Sequence, residues 1–206
     1  MAIRPGFYVN GSGKISRKEA EFVWAGGFAV SQKKKNVHSL HKALGKPSLE
    51  VSTKSDSALG VKLSAFSLTL GGYPLENIFQ SSKVFEYGGP YLDLLEVSPK
   101  EAKRDERLKS SGRLIKFRYD GEDWDLVPRT MFYDYIYCLA VRESVPAEEL
   151  KELSKYVYFT DIEFNPNKSI NTQAEAVLIV KAYIETYGEI PKLTKECFSE
   201  FYKKFF

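Results

Sequence analysis

Residues 62–85 read KLSAFSLTLGGYPLENIFQSSKVF, and this stretch decides how the fold is interpreted. A strand-like run, 62–68, precedes a short turn and a segment, 74–86, with helical spacing. On such a helix Glu76, Gln80 and Lys83 lie at i, i+4 and i+7 and share one stripe. Because most other positions are apolar, the polar groups form a narrow seam rather than a broad charged face. The seam is either a satisfied buried network or the wall of a polar pocket, and the pocket would make the chain an enzyme candidate.

Composition restricts the function classes only loosely. The chain has 206 residues, 43% of them hydrophobic, with 13 Tyr and 14 Phe, which favours a folded globule. A net charge of +3 permits contact with nucleic acid without demanding it. Cys138 and Cys197 lack metal-ligand spacing, and no apolar run reaches transmembrane length. We therefore expect a cytoplasmic protein with no membrane contact.

The element pattern predicts an α+β fold, mostly helical, with a small antiparallel sheet. One domain is expected to span 1–206, with 1–30 as an N-terminal extension of strands and turns whose first 20 residues match no pattern. Ser98, Pro99 and Glu101 form a capping box, and Asp120–Gly121 is typical of a type I′ hairpin turn within 114–127. A further strand is predicted at 49–52, and the remaining helices at 36–45 with Asn36 as N-cap, 129–142, 146–154, 170–187 and 194–205.

Several common catalytic signatures are absent from the sequence. The stretch from Gly11 to Lys14 is not a P-loop, because Tyr8 stands where the first glycine belongs. His38 and His41 lie three apart with no Cys near them in sequence, so an ordinary half-buried or exposed role is favoured over metal binding. No metal site and no cofactor are predicted. The chemistry left to this chain is that of carboxylates, lysines, amides and aromatic rings.

The order of several short segments resembles the NADAR superfamily. These are LSAFSL, PLENIFQSSKVF, SPKEAKRD, EDWDLV and KSINTQAEAV, and YbiA-type members carry a similar order. SKVFEYGGPYLDLL, EAKRD, FYDYIY and FTDIEFNPNKSIN are similar to the NADAR branch encoded beside DarT-type toxins. The resemblance spans about residues 22–185 and implies a NADAR-like fold.

The resemblance also implies an activity and partners. DarT-type toxins ADP-ribosylate guanine in DNA, and their NADAR partners are antitoxins that remove the modification. The implied reaction is hydrolysis of the N-glycosidic bond between guanine and the distal ribose, which releases ADP-ribose, and a DarT-type toxin is expected to be encoded nearby. Two alternatives stay open: an N-glycosidase on small phosphoribosyl nucleotides, as in the YbiA branch, and a non-catalytic antitoxin that binds the toxin or the ADP-ribosylated DNA.

Four residues are candidates for the catalytic groups. Glu76 is the first choice for a carboxylate that stabilises positive charge at the anomeric carbon, the alternative being a structural ion pair with Lys83. Lys83 could orient Glu76, contact a phosphate or act as nucleophile. Lys54, in STKSDS, is the candidate nucleophile for a Schiff-base route, against the alternative of a solvated surface lysine. Asp161 is either a second carboxylate or an acid that organises a turn.

Other residues suit the planar and anionic parts of the substrate. Arg104 could bind a phosphate, Tyr91 beside Gly88–Gly89 could stack on a base, and Trp124 is either core or a base-stacking ring. Backbone N–H groups near Asn171 at a predicted helix start could bind an anion. The full set of substrate-binding candidates is Ser64, Phe66, Gln80, Gly88, Gly89, Tyr91, Arg104, Asp105, Trp124, Asn165, Asn171 and Gln173.

Overall fold

The computed structural model describes residues 1–165 and 172–206, which form an α+β structure and confirm the predicted fold class. The strands are β1 (Ala2–Val9), β2 (Ile15–Phe22), β3 (Ser48–Glu50), β4 (Thr69–Leu70), β5 (Tyr73–Pro74), β6 (Lys83–Phe85), β7 (Leu114–Tyr119), β8 (Glu122–Trp124) and β9 (Tyr158–Thr160). The α-helices are α1 (Val30–Leu44), α2 (Ala58–Lys62), α3 (Leu75–Ser81), α4 (Pro99–Arg104), α5 (Arg107–Ser110), α6 (Met131–Ser144), α7 (Ala147–Leu150), α8 (Gln173–Tyr187) and α9 (Lys195–Tyr202). Two 3-10 helices cover Leu92–Leu95 and Lys151–Lys155.

The N-terminal hairpin is an integral part of the main sheet. Within the described ranges this sheet has the strand order β2–β1–β9–β3. β1 pairs with β2 along its whole length and with β9 at Phe7 and Phe159, both antiparallel. β3 and β9 are parallel, with Glu50 opposite Thr160. Because parallel strands end at the same edge, Glu50 comes close to Asp161, the residue after β9.

The main core lies between the sheets and the helices α6 and α8, and a smaller core cluster packs under α1. α8 is largely apolar and mostly buried as far as Ile184, as expected for a helix enclosed by other elements, and its last turn is exposed. Trp124, Phe132 and Tyr137 are among the largest fully buried side chains. No helix in the described part of the chain is long and apolar enough to cross a membrane.

Local turn and cap chemistry was predicted correctly at two places. The Ser98 hydroxyl accepts from the backbone of Glu101, and the Glu101 carboxylate accepts from the backbone of Ser98, which is the expected capping box. Asp120 (φ 50°) and Gly121 (φ 77°) connect β7 to β8, and both have the positive φ of a type I′ turn. The resulting hairpin forms a three-stranded sheet with β6, on the side of the molecule that carries α3.

The predicted helix over 74–86 is wrong beyond Ser81. At the end of α3 the Ile78 carbonyl accepts from the Ser82 N–H and also from the hydroxyls of Ser81 and Ser82, which is typical of a helix end. Lys83 begins β6 and pairs with Phe117 of β7. The Lys-Val-Phe sequence of β6 has the β-branched and aromatic content that favours a strand.

The predicted strand over 62–68 is also wrong. This segment is the end of α2 followed by turns, in which several N–H groups donate to carbonyls three or four residues earlier. Two other backbone groups find partners far away in sequence. The Ala65 N–H donates to Gln173 Oε1 (2.6 Å), and the Leu63 carbonyl accepts from the Tyr137 hydroxyl (2.6 Å). Local turns together with tertiary hydrogen bonds therefore take the place of strand pairing.

The predicted N-cap at Asn36 is a third error. α1 begins at Val30, and Asn36 is a buried position inside it. Its side-chain Oδ1 accepts from the Ala25 N–H (2.7 Å) and its Nδ2 donates to the Ala25 carbonyl (3.1 Å). Asn36 thus fixes the loop before the helix instead of capping it. The predicted end of the helix near Gly45 is confirmed, since Gly45 has φ 73° and its N–H donates to His41.

Candidate active site

One cavity of about 660 Å³ gathers six of the residues predicted from the sequence. It lies between α3, the β6–β7–β8 sheet, α6 and the start of α8. The six are Glu76, Lys83, Asp161, Phe66, Gln80 and Gln173. This volume is within the range of small-molecule sites and is large enough for a nucleotide.

Glu76 is held in the cavity wall by a short polar network. It lies in the first turn of α3 with its side chain 20% exposed. Gln80 Nε2, one helical turn later, donates to Glu76 Oε1 (2.7 Å), and Lys83 Nζ donates to Gln80 Oε1 (2.6 Å). Lys103 Nζ of α4 lies 3.9 Å from Glu76 Oε1. The polar seam of the sequence is therefore both a hydrogen-bonded network and a cavity wall, although Lys83 reaches it from a strand.

Lys83 is a partly desolvated amine. Burial lowers its pKa, Lys103 lowers it further, and Glu76 opposes the shift. The ammonium also lies 4.9 Å from the centroid of the Phe79 ring. A lysine with a lowered pKa has a larger neutral, nucleophilic fraction at neutral pH.

Asp161 faces the same cavity from the end of β9. Burial raises its pKa to about 6. Its carboxylate accepts from Gln173 Nε2 (3.0 Å) and from the Glu163 N–H (3.0 Å). Since Gln173 Oε1 also accepts from the Ala65 N–H, this amide ties the 62–68 segment to Asp161. A carboxyl group with this pKa exists in both protonation states near neutral pH and can donate or accept a proton.

Glu50 is a buried carboxyl group that sequence reasoning missed. It is 1% exposed, and its carboxylate accepts from Ser52 Oγ (2.6 Å), Thr160 Oγ1 (2.7 Å) and the Ile162 N–H (2.9 Å). Burial, and then the charge of Asp161, raise the pKa of Glu50 to about 7. The sequence feature that could have indicated Glu50 is an acidic residue within the apolar strand LEVS, since Glu is rarely fully buried without partners.

The cavity walls are aromatic, with cations at the edge. Phe79 packs against Phe117 (5.4 Å between centroids) and edge-on against Tyr133 (5.4 Å). Phe66, 74% exposed, stands at the border of the cavity. Lys103, Arg129 and Tyr133 also line the cavity and were not predicted as site residues. Arg129 follows the hairpin in a segment with no motif, so its position in the cavity wall could not be predicted from the neighbouring residues.

Trp124 and the Gly88–Gly89–Tyr91 turn do not line the cavity. Trp124 is fully buried and packs on Tyr135, so base stacking is not available to it. The Tyr91 hydroxyl is hydrogen-bonded to Ser111 Oγ, and the Arg107 guanidinium lies over its ring. Added Cβ atoms at the two glycines would lie 2.1 Å from the Tyr91 hydroxyl and 2.3 Å from the Lys83 carbonyl. The glycines allow this close packing, which accounts for both of them without a ligand.

The remaining predicted residues lie elsewhere or have other partners. Lys54 is half-buried, does not line the cavity, and donates from Nζ to Thr53 Oγ1 (2.6 Å). Asp105 accepts two hydrogen bonds from the Arg107 side chain, each of 2.9 Å, and is a structural ion-pair partner. Three further predicted residues are also outside the lining: fully buried Ser64, exposed Arg104 and half-buried Asn165. Asn171 lies outside the described residues.

Comparison with known families agrees with the resemblance drawn from the sequence. No curated protein matches the chain. The model of one family, the DarT1-associated NADAR antitoxins, matches residues 2–205. This match includes the N-terminal hairpin, whose sequence alone indicated no relationship. The chain therefore belongs to the family of DarT1-associated NADAR antitoxins.

Proposed function

We propose that this protein is an N-glycosidase that removes ADP-ribose from guanine bases of DNA and so acts as the antitoxin of a DarT-type toxin. The observation that carries the proposal is the convergence of Glu76, Lys83 and Asp161 on one cavity of nucleotide size. Family membership supports the antitoxin role. The three groups supply the chemistry that glycosidic cleavage needs.

Glu76 and Asp161 suit the two ends of the breaking bond. Cleavage builds positive charge at the anomeric carbon, which the Glu76 carboxylate stabilises. Guanine leaves with the bonding electron pair and takes up a proton, which Asp161 donates from its protonated form, because burial raises its pKa to about 6. Water then adds to the anomeric carbon and its proton goes to a carboxylate, which gives free ADP-ribose and unmodified guanine.

Lys83 offers a covalent variant of the same reaction. Its neutral amine attacks the anomeric carbon, the bond to guanine breaks, and loss of the amine proton with ring opening leaves a Schiff base that water hydrolyses. Lys83 lines the cavity and has a lowered pKa, whereas Lys54 lies outside the lining. These two facts favour Lys83 over Lys54 for this role.

The walls of the cavity match the rest of the substrate. Phe66 and the rings around Phe79 provide planar apolar surface for a base. Lys103 and Arg129 provide positive charge for the diphosphate of ADP-ribose. The volume also admits a small phosphoribosyl nucleotide, which is the second candidate substrate class.

The test is an assay on an oligonucleotide with one ADP-ribosylated guanine, followed by mass spectrometry for loss of ADP-ribose. Wild type should remove the group. Glu76→Gln should lower the rate at least about 100-fold while substrate binding stays within a few-fold, since the amide keeps the shape and loses the charge. Glu152→Gln, an exposed site on the second 3-10 helix, is the matched control.

Three other results would contradict the proposal. Turnover of small phosphoribosyl nucleotides without turnover of the oligonucleotide would favour the second substrate class. Binding of the modified oligonucleotide without any cleavage would favour a non-catalytic antitoxin. Unchanged protection of toxin-expressing cells by Glu76→Gln would also count against catalysis as the basis of the antitoxin effect.

A further inference from the structure

A long basic segment lies outside the cavity and has no role in the proposed chemistry. Residues 22–49 contain Lys33, Lys34, Lys35, Lys42 and Lys46 and no Asp or Glu. The chain as a whole has a net charge of only +3, so this positive charge is local. The segment comprises the loop after β2, all of α1 and the approach to β3.

Two of the lysines of α1, Lys35 and Lys42, lie on one outer stripe. The buried face of α1 is formed by Val37, Leu40 and Leu44. Lys35 and Lys42, seven residues apart, are exposed on the opposite face, about 10 Å apart along the helix axis. Lys46 is exposed just beyond the helix end. Lys34 pairs with Asp56, but no such acid lies within ion-pair distance of Lys35, Lys42 or Lys46 among the described residues.

Two aromatic residues, one of them fully exposed, precede the same helix. Phe28 is 100% exposed, which is unusual for a large apolar side chain in a folded protein. Trp24 is half-buried and contacts two cations, with Arg4 and Lys33 each 5.3 Å from its ring centroid. Interleaved rings and cations are the composition that binds single-stranded nucleic acid, because rings stack on bases and cations neutralise phosphates.

This surface is joined to the cavity. Glu163 lines the cavity, and its carboxylate lies 3.3 Å from Lys33 Nζ. Lys33 in turn lies over Trp24, next to the loop that carries Phe28. Lys33 lies in the first turn of α1, on the stripe of Val37 and Leu40. A strand with one base in the cavity can pass Lys33 and Phe28 at the start of the helix and then cross to the outer stripe that carries Lys35 and Lys42.

We infer that Phe28, Lys35, Lys42 and Lys46 form a docking surface, here called the α1 surface, for a DNA strand that flanks the base held in the cavity. The partner has unpaired bases, since Phe28 can stack only on an exposed base face. The lysines bind its phosphodiesters by releasing counterions, without sequence preference. The inference rests on the proposed function for the identity of the base in the cavity, but the surface can be tested without catalysis.

The binding test uses an unmodified single-stranded oligonucleotide of mixed sequence and fluorescence anisotropy at several salt concentrations. The double variant Lys35→Ala/Lys42→Ala should bind at least about 10-fold more weakly near 0.1 M salt. Its slope of log K against log salt should be smaller by about 1.4, or about 0.7 for each phosphate that is no longer neutralised. Phe28→Ala should weaken binding about 5-fold or more without changing that slope.

The matched control is Lys151→Ala/Lys155→Ala, which removes the same charge from exposed lysines of the second 3-10 helix. This control should bind like wild type. Equal losses of DNA affinity in both double variants, or no loss in either, would overturn the assignment of the α1 surface as a DNA-binding site. Loss of binding to the DarT1 toxin with unchanged DNA binding would also overturn it, because the surface would then dock a protein.

A catalytic measurement separates this inference from the proposed function. The ratio of kcat/KM on the modified oligonucleotide to kcat/KM on ADP-ribosylated guanosine should fall about 10-fold in Lys35→Ala/Lys42→Ala, since the nucleoside has no flanking phosphates. An unchanged ratio would overturn the surface as part of the enzyme. If wild type cleaves neither substrate but its DNA binding still depends on Lys35 and Lys42, the proposed function fails and the surface stands.

Discussion

Gln80 Nε2 donates to Glu76 Oε1 across one helical turn, at 2.7 Å, and this hydrogen bond fixes the carboxylate in the cavity wall. The other end of the same amide accepts from Lys83. Gln80→Met keeps the volume and removes both hydrogen bonds. We expect kcat on ADP-ribosylated oligonucleotide to fall about 10- to 100-fold with a smaller change in KM. The reason is that a misplaced catalytic group weakens binding of the transition state more than binding of the substrate. Steady-state kinetics measure kcat and KM separately, and an effect confined to KM would contradict a positioning role for Gln80.

Lys83 should be the residue that borohydride traps on the substrate. Its amine lines the cavity and its pKa is lowered by burial, so it is the lysine favoured for a Schiff base. Reduction during turnover, followed by peptide mass spectrometry, should place ADP-ribose on Lys83. Lys83→Arg should abolish the adduct, whereas Lys54→Arg, the matched variant, should retain it. An adduct on Lys54, or none in active enzyme, would rule out this assignment.

Glu50 should make stability decrease as the pH rises toward neutral. Its folded-state pKa is raised from 4.5 to about 7, so between these pH values the folded state binds more protons than the unfolded state. Its contribution to the free energy of unfolding is therefore present below about pH 4.5 and is lost as pH rises toward 7. The shift corresponds to a loss of up to about 3 kcal/mol.

Glu50→Gln tests this dependence because the amide imitates the protonated acid and can donate to Thr160 Oγ1. Urea unfolding at intervals from pH 4.5 to 7.5 should give a stability difference, variant minus wild type, that grows with pH. Other groups with shifted pKa values, Asp161, Glu175 and His41 among them, are present in both proteins, so the difference isolates Glu50 to first order. A difference that is constant over this range would show that Glu50 does not titrate there.

The elements that were predicted well are those whose signals are local. The capping box at Ser98 and the Asp120–Gly121 turn need only a few neighbouring residues, and the structure confirms both. The polar seam also placed Glu76, Gln80 and Lys83 together, because β6 follows α3 closely enough for Lys83 to reach Gln80. Proximity in sequence was enough here even though the predicted helix was too long.

The rest of the site depends on contacts between distant segments. Asp161 and Glu50 meet because β3 and β9, far apart in sequence, pair in parallel. Gln173 reaches the Ala65 backbone from the start of α8, and this contact replaces the strand predicted at 62–68. Periodicity and propensity contain no information on such pairings, which are set by tertiary packing.

Gly89 should be needed for stability because of its surroundings as well as its backbone conformation. Gly89 (φ 84°) and Gly121 (φ 77°) both have positive φ, but a Cβ at Gly89 would lie 2.3 Å from the Lys83 carbonyl while one at Gly121 meets nothing within 4 Å. Gly121→Ala should cost about 1 kcal/mol from conformation alone. Gly89→Ala should cost at least about 2 kcal/mol more, since β6 must shift to relieve the clash.

Urea unfolding of both variants measures the difference in stability. Equal losses of stability in the two variants would mean that β6 can shift without a free-energy cost. If β6 shifts, Lys83 moves away from Gln80, so we also expect Gly89→Ala, but not Gly121→Ala, to reduce glycosidase activity.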